Sequence, residues 1–98
     1  MDHLVLSGRL AWVDQRGSLV VLRVEKTNRR GRRLKGATLT VNLANARMST
    51  PDRNGDGERS AADLLPGERV SVAVTLPRHL DGLPRVVAAR TCTCQSFD

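Results

Sequence analysis

Ala37-Thr38-Leu39-Thr40-Val41-Asn42-Leu43 is the stretch that decides the fold of this chain. Leu39, Val41 and Leu43 alternate strictly with Thr38, Thr40 and Asn42. Successive side chains of a strand point to opposite faces, so a period of two puts the aliphatic set on one face and the polar set on the other. Residues 69–76 repeat the pattern, with Val70, Val72, Val74 and Leu76 on the inward face and Ser71, Ala73 and Thr75 on the outward one. A one-residue slip would invert either set, so both registers are strongly specified.

Working outward, three more segments read as strands. Residues 19–26 place Val20, Leu22 and Val24 opposite Leu19, Val21, Arg23 and Glu25, buried on both faces at the start and half exposed at the end. Residues 4–13 alternate imperfectly around Gly8, and a glycine inside a strand pattern marks a bulge or tight bend of the kind barrels need. Residues 85–91 supply the fifth strand. Asp14-Gln15-Arg16-Gly17 reads as a hairpin turn between the first two. Between the third and fourth strands, Ser60 can cap a short helix over residues 60–65, Ala61 and Ala62 favour it, Leu64 would close one barrel end, and Pro66-Gly67 stops it. Five short strands with one short helix between strands 3 and 4 is the element order of a mostly β, five-stranded, OB-like Greek-key barrel.

Ninety-eight residues make a single domain, 1–98, with a modest core. Aromatic residues are 2% of the chain, Trp12 and Phe97, so the core must be built from Val, Leu and Ala. Trp12 is expected in the core or at a barrel end. No apolar run reaches the roughly 18 residues of a membrane span. The N-terminus lacks the pattern of a secretory signal, so a full-length chain would be cytoplasmic, and a monomer is expected.

The net charge is +6, and it is concentrated. Arg29, Arg30, Arg32, Arg33 and Lys35 crowd into seven residues without an acid, leaving eleven basic against ten acidic residues elsewhere. This segment joins strands two and three. As a long hairpin tip with repelling arginines it should be exposed and mobile. Arginine suits phosphate, so one function class is a nucleic-acid-binding module using these five residues; the scarcity of aromatics for base stacking counts against it. The bland alternative is a solvated tip that keeps the protein soluble.

Asp52-Arg53-Asn54-Gly55-Asp56-Gly57-Glu58-Arg59-Ser60-Ala61-Ala62-Asp63 places side-chain oxygens at positions one, three and five, a glycine at six and a carboxylate at twelve. A calcium ion takes about six to eight oxygens from a loop that turns sharply at a glycine. Asn54-Gly55 and Asp56-Gly57 are also turn dipeptides, and Ser60 with Asp63 nearly makes a capping box, so a turn and a helix cap can use the same residues without metal.

Two resemblances add to these readings. The run from Ser60 to Val72, Ser-Ala-Ala-Asp-Leu-Leu-Pro-Gly-Glu-Arg-Val-Ser-Val, with the opening from Gly8 to Asp14 and then Leu19 to Val24, resembles small uncharacterised bacterial OB-like β-barrel domains. That likeness implies the fold and no activity. Residues 52–63 resemble the calcium loops of EF-hands and dockerin repeats. The likeness implies Asp52, Asn54, Asp56 and Asp63 as side-chain ligands, Glu58 through its backbone carbonyl, and Ser60 directly or through water. Arg59 replaces the aliphatic residue of those loops, Pro51 disfavours an entering helix, and no sister loop exists.

Cys92 and Cys94 stand two apart near the end of the fifth strand, so both thiols share a face. Their spacing is not that of a structural zinc site, even with His3 and His79, and fraying terminal thiols are expected. No nucleophile motif, clustered His–carboxylate pair or Gly-rich phosphate loop is present, which argues against an enzyme. The expectation is therefore a non-enzymatic interaction or structural module with a possible calcium loop and an unknown protein or polyanion partner, or else the nucleic-acid module.

Overall fold

The computed structural model describes residues 2–14, 16, 18–49, 64–76 and 85–94. Among them run β1 (Asp2–Val13), β2 (Leu19–Thr27), a 3-10 helix (Arg29–Leu34), β3 (Thr38–Asn42), β4 (Arg47–Ser49), β5 (Arg69–Leu76) and β6 (Val86–Cys94). The fourth and fifth strands of the sequence pattern are thus β5 and β6. The three-residue β4 is an addition too short to carry a periodic signal.

β1, β2 and β3 pair antiparallel in succession, and β5 returns to lie antiparallel beside β1. The spatial order β5-β1-β2-β3 is a Greek key. β6 then pairs antiparallel with β5 and parallel with β3, closing a five-stranded barrel, while β4 lies parallel to β6 beyond the end of β3. This is the OB-like barrel the element order implies. The expected helix over residues 60–65 falls mostly outside the described residues; Leu64 and Leu65 carry no regular structure, and Leu64 is buried against the core. Leu65 starts a turn through Pro66 and Gly67, closed by Glu68 N–H donating to the Leu65 carbonyl at 3.2 Å.

The core is aliphatic throughout. Leu39, Val41, Leu43, Val70, Val72 and Val74 are all buried, while Thr38, Thr40, Ser71 and Thr75 face outward. No polar or charged residue is buried among those described. Burying a Val or Leu side chain stabilises by about 1.5–3 kcal/mol, so this alternation both sets the register and supplies the stability.

Bulges shape the barrel at two places that matter below. One lies between Ser7 and Gly8, where Ser7 pairs with Lys26 but Gly8 with Val24. A Cβ on Gly8 would overlap the Arg23 carbonyl oxygen, so only glycine lets β1 approach β2 this closely. The other lies on β6: Ala73 pairs with Thr91 and Val74 with Ala89, leaving Arg90 without a cross-strand partner.

Candidate nucleic-acid interface

The basic segment is not an open hairpin tip. Residues 29–34 wind into a 3-10 helix, capped by the Asn28 side chain, whose Oδ1 accepts from the Gly31 N–H at 3.0 Å. Leu34 is buried in the core, and Gly31 lies so close to Leu6 that a Cβ there would sit 2.9 Å from the Leu6 Cδ2. Asn28 also donates from its backbone to the Val5 carbonyl and from Nδ2 to the His3 carbonyl, at 3.0 and 3.1 Å. Leu34 and Gly31 fasten the segment to the barrel, while Arg29, Arg30, Arg32, Arg33 and Lys35 remain exposed.

The described residues outside that segment are not neutral either. They hold eight Lys and Arg residues against four acids, a net eight minus four, or +4. Counting along the chain averaged this surface with acid-rich segments elsewhere.

Register concentrates the charge further. Arg9 of β1 pairs with Arg23 of β2 on one side and with Arg69 of β5 on the other. All three are exposed, and none has an ion-pair partner among the described residues. Strands lie about 4.8 Å apart, so three guanidinium-bearing positions stand in line across about 10 Å. Like charges directly opposite one another are destabilising. Glu25, displaced by the bulge at Gly8, shares a recess of about 130 Å³ with Arg69 and Lys26 without making an ion pair among the described residues.

One step along the same face lies an apolar row. Trp12 pairs with Val21, Val21 with Thr40, and Thr40 with Val86. Trp12 is at the barrel end but not in the core: it is 51% exposed, and Val86 is 42% exposed. The irregularity between Leu10 and Trp12 breaks the alternation and turns the indole outward. Trp12 and the arginine row were each invisible to local pattern, because both depend on cross-strand register.

The two cysteines are core residues rather than frayed thiols. Cys92 and Cys94 are 0% and 3% exposed and pair with Val72 and Val70. Burial first, then the neighbouring Cys94 thiol and its hydrogen bond, and last the Glu68 charge push the Cys92 thiol up to about 12. His3 is exposed on the outer surface, so it does not converge with them on a zinc site.

Asp52, Asn54, Asp56, Glu58, Ser60 and Asp63 of the calcium-type dodecad, and His79, lie outside the described residues. No family model, curated protein or solved structure matches the chain.

Proposed function

We propose that this protein is a non-enzymatic binding module for single-stranded nucleic acid, held across the outer face of β1, β2 and β3. The observation that supports the reading is the pair of adjacent rows on that face. Arg69, Arg9 and Arg23 form a cationic row with no ion-pair partner among the described residues, and Trp12, Val21, Thr40 and Val86 form a mostly apolar row beside it, exposed at Trp12 and Val86. Phosphates suit the first and base faces the second, an arrangement that is tolerant of sequence because every base has a π-face. The basic 3-10 helix, directly after β2, and Lys35 add five further exposed cations to the molecule.

Trp12 is the only tryptophan and the chain has no tyrosine, so its fluorescence reports on the site itself. Titration with a short single-stranded pyrimidine oligonucleotide should quench that fluorescence. Affinity should fall with salt, with a logarithmic slope of about 0.7 per neutralised phosphate. An oligonucleotide that leaves Trp12 emission unchanged, or binding indifferent to Arg9→Ala and Arg23→Ala, would remove the reading.

The acidic dodecad carries a second, separable proposal from its sequence alone, that it binds calcium through Asp52, Asn54, Asp56, Glu58 and Asp63. Calcium should then raise the melting temperature by mass action, and Asp56→Ala should abolish the rise. Millimolar calcium that moves nothing would leave the dodecad as a turn and a helix cap.

A further inference from the structure

The opposite stretch of β1 borders a different surface. Along β1, β5, β6 and β4, Ser7 pairs with Ser71, Ser71 with Thr93, and Thr93 with Ser49. The hydroxyls at both ends of this row satisfy each other, Ser7 with Ser71 at 3.0 Å and Ser49 with Thr93 at 3.2 Å. The next row runs Val5, Ala73, Thr91, Arg47. Its central side chains are small, and above them opens a trough of about 390 Å³.

Cations and donors from four strands surround this trough: His3 of β1, Thr75 of β5, Arg90 and Thr91 of β6, and Arg47 of β4. No acid lines it. The β6 bulge is what brings Arg90 here. It leaves Arg90 unpaired, so that Arg90 and Thr91 are both exposed side by side, where regular alternation would have turned one of them inward. Bulges of this kind re-aim side chains and are over-represented beside functional sites. His3 is also held: Asn28 grips its carbonyl, and its Nδ1 lies 3.4 Å from the Thr75 Oγ1. Neither Arg47 nor Arg90 has an ion-pair partner among the described residues.

We infer that this trough is a binding site for the phosphate group of a small phosphorylated ligand, with Arg47 and Arg90 as its charged clamp and His3, Thr75 and Thr91 as further polar contacts. Two guanidinium groups from separate strands over a floor of small residues fit a compact oxyanion, which arginine binds through paired donors. The volume lies at the low end of small-molecule sites and leaves room for a group of nucleoside size. The site is distinct from the nucleic-acid face, which lies beyond Gly8 on the same strand.

Amide NMR titrations with inorganic phosphate and with a nucleoside monophosphate, against sodium chloride at matched ionic strength, test the assignment. Phosphate should shift Ala73, Thr75 and Thr91 saturably, and the monophosphate should do so at lower concentration. Arg90→Ala and Arg47→Ala should each weaken binding about tenfold or more, while Arg16→Ala, an equal charge loss at an exposed distant position, should not. Trp12→Ala should leave the phosphate titration unchanged, so failure of the nucleic-acid reading would not touch this one. Chloride producing the same shifts, or either trough variant binding phosphate as the wild type does, would overturn the site. So would shifts of these amides by an oligonucleotide alone, which would make the trough part of the nucleic-acid path.

Discussion

From Arg9 toward Trp12, β1 borders a face that is cationic and apolar; from Ser7 back to His3, the same strand borders hydroxyls and small side chains. On the second face the hydroxyls satisfy one another, as Ser7 does with Ser71 and Ser49 with Thr93, and beyond them Arg47 and Arg90 border a trough. On the first face, Arg9 stands between Arg23 and Arg69 with no ion-pair partner among the described residues. A barrel can tolerate that arrangement because its stability comes from Leu and Val inside. What it leaves over is an electrostatic demand that a phosphate backbone would meet. The difference also divides the labour: an extended polyanion suits a row, and a discrete phosphate suits a trough.

Gly8 stands at the boundary between the faces, and its replacement should have the largest effect. Gly8→Val forces a side chain into the Arg23 carbonyl, so either β1 shifts from β2 or the bulge is lost. Both outcomes disturb the registers that align Arg9 with Arg23 and Ser7 with Ser71. A loss of about 3–5 kcal/mol is expected, at the upper end for single substitutions, and denaturant unfolding measures it. A variant as stable as the wild type would mean that the two faces do not depend on this close approach.

The β6 bulge gives the second expectation. By turning both Arg90 and Thr91 outward it sends Cys92 inward, where the thiol is kept protonated up to about 12. In the unfolded chain the thiol ionises around its ordinary value of 9.0. The stability this contributes is therefore whole below pH 9 and is lost as pH rises from there toward 12. Thermal melts across that range should show the loss, and Cys92→Ala should flatten it. Native thiols should also react slowly with an aromatic disulfide reagent at pH 8, since the thiolate is the reactive form. Rapid labelling of both thiols in the folded protein would place them outside the core.

The core was legible because period-two alternation is a local property: Leu39 through Leu43 and Val70 through Val74 declare their faces within each segment. Gly8 was legible for the same reason, as a break in a local pattern. The 3-10 helix was hidden because four arginines dominate its composition, while its anchors are a single leucine and a glycine. Asn28 followed three residues later by Gly31 was the available cue, a capping side chain ahead of a backbone N–H. The candidate sites were hidden more deeply. Arg9, Arg23 and Arg69 are far apart in sequence and meet only through strand pairing, and Arg47 reaches Arg90 only through β4, whose three residues give no pattern. Irregularities in register also set the parity at Trp12, which lies outward at the barrel end, and at Cys92, which is a core residue rather than a frayed thiol.

Trp12→Ala separates the faces at intermediate magnitude. With its side chain half exposed, the substitution should change stability little, by within about 0.5 kcal/mol. Stacking of a base on the ring is worth about 1–3 kcal/mol, so oligonucleotide affinity should fall about fivefold to a hundredfold or somewhat more. Trp12→Phe should recover most of it. Equal loss of oligonucleotide binding from Arg47→Ala, with Trp12→Ala silent, would transfer the nucleic-acid site to the trough face.

The smallest effect has the most telling sign. Arg9 faces a guanidinium-bearing neighbour on each side, and such cross-strand pairs differ from neutral ones by about 0.2–1 kcal/mol. Arg9→Gln keeps most of the side chain's reach while removing both repulsions, so the free protein should become more stable by about that amount. The same substitution removes a phosphate contact, so oligonucleotide binding should weaken and its salt slope should drop by about 0.7. Added salt screens the repulsion, and the stability gap between wild type and variant should therefore narrow as ionic strength rises. A residue kept only for solubility or packing would show neither the opposed signs nor that salt dependence. Should Arg9→Gln instead destabilise the barrel at low salt, the arginine row would be a supported structural element, and its lack of acidic partners among the described residues would no longer speak for a polyanion.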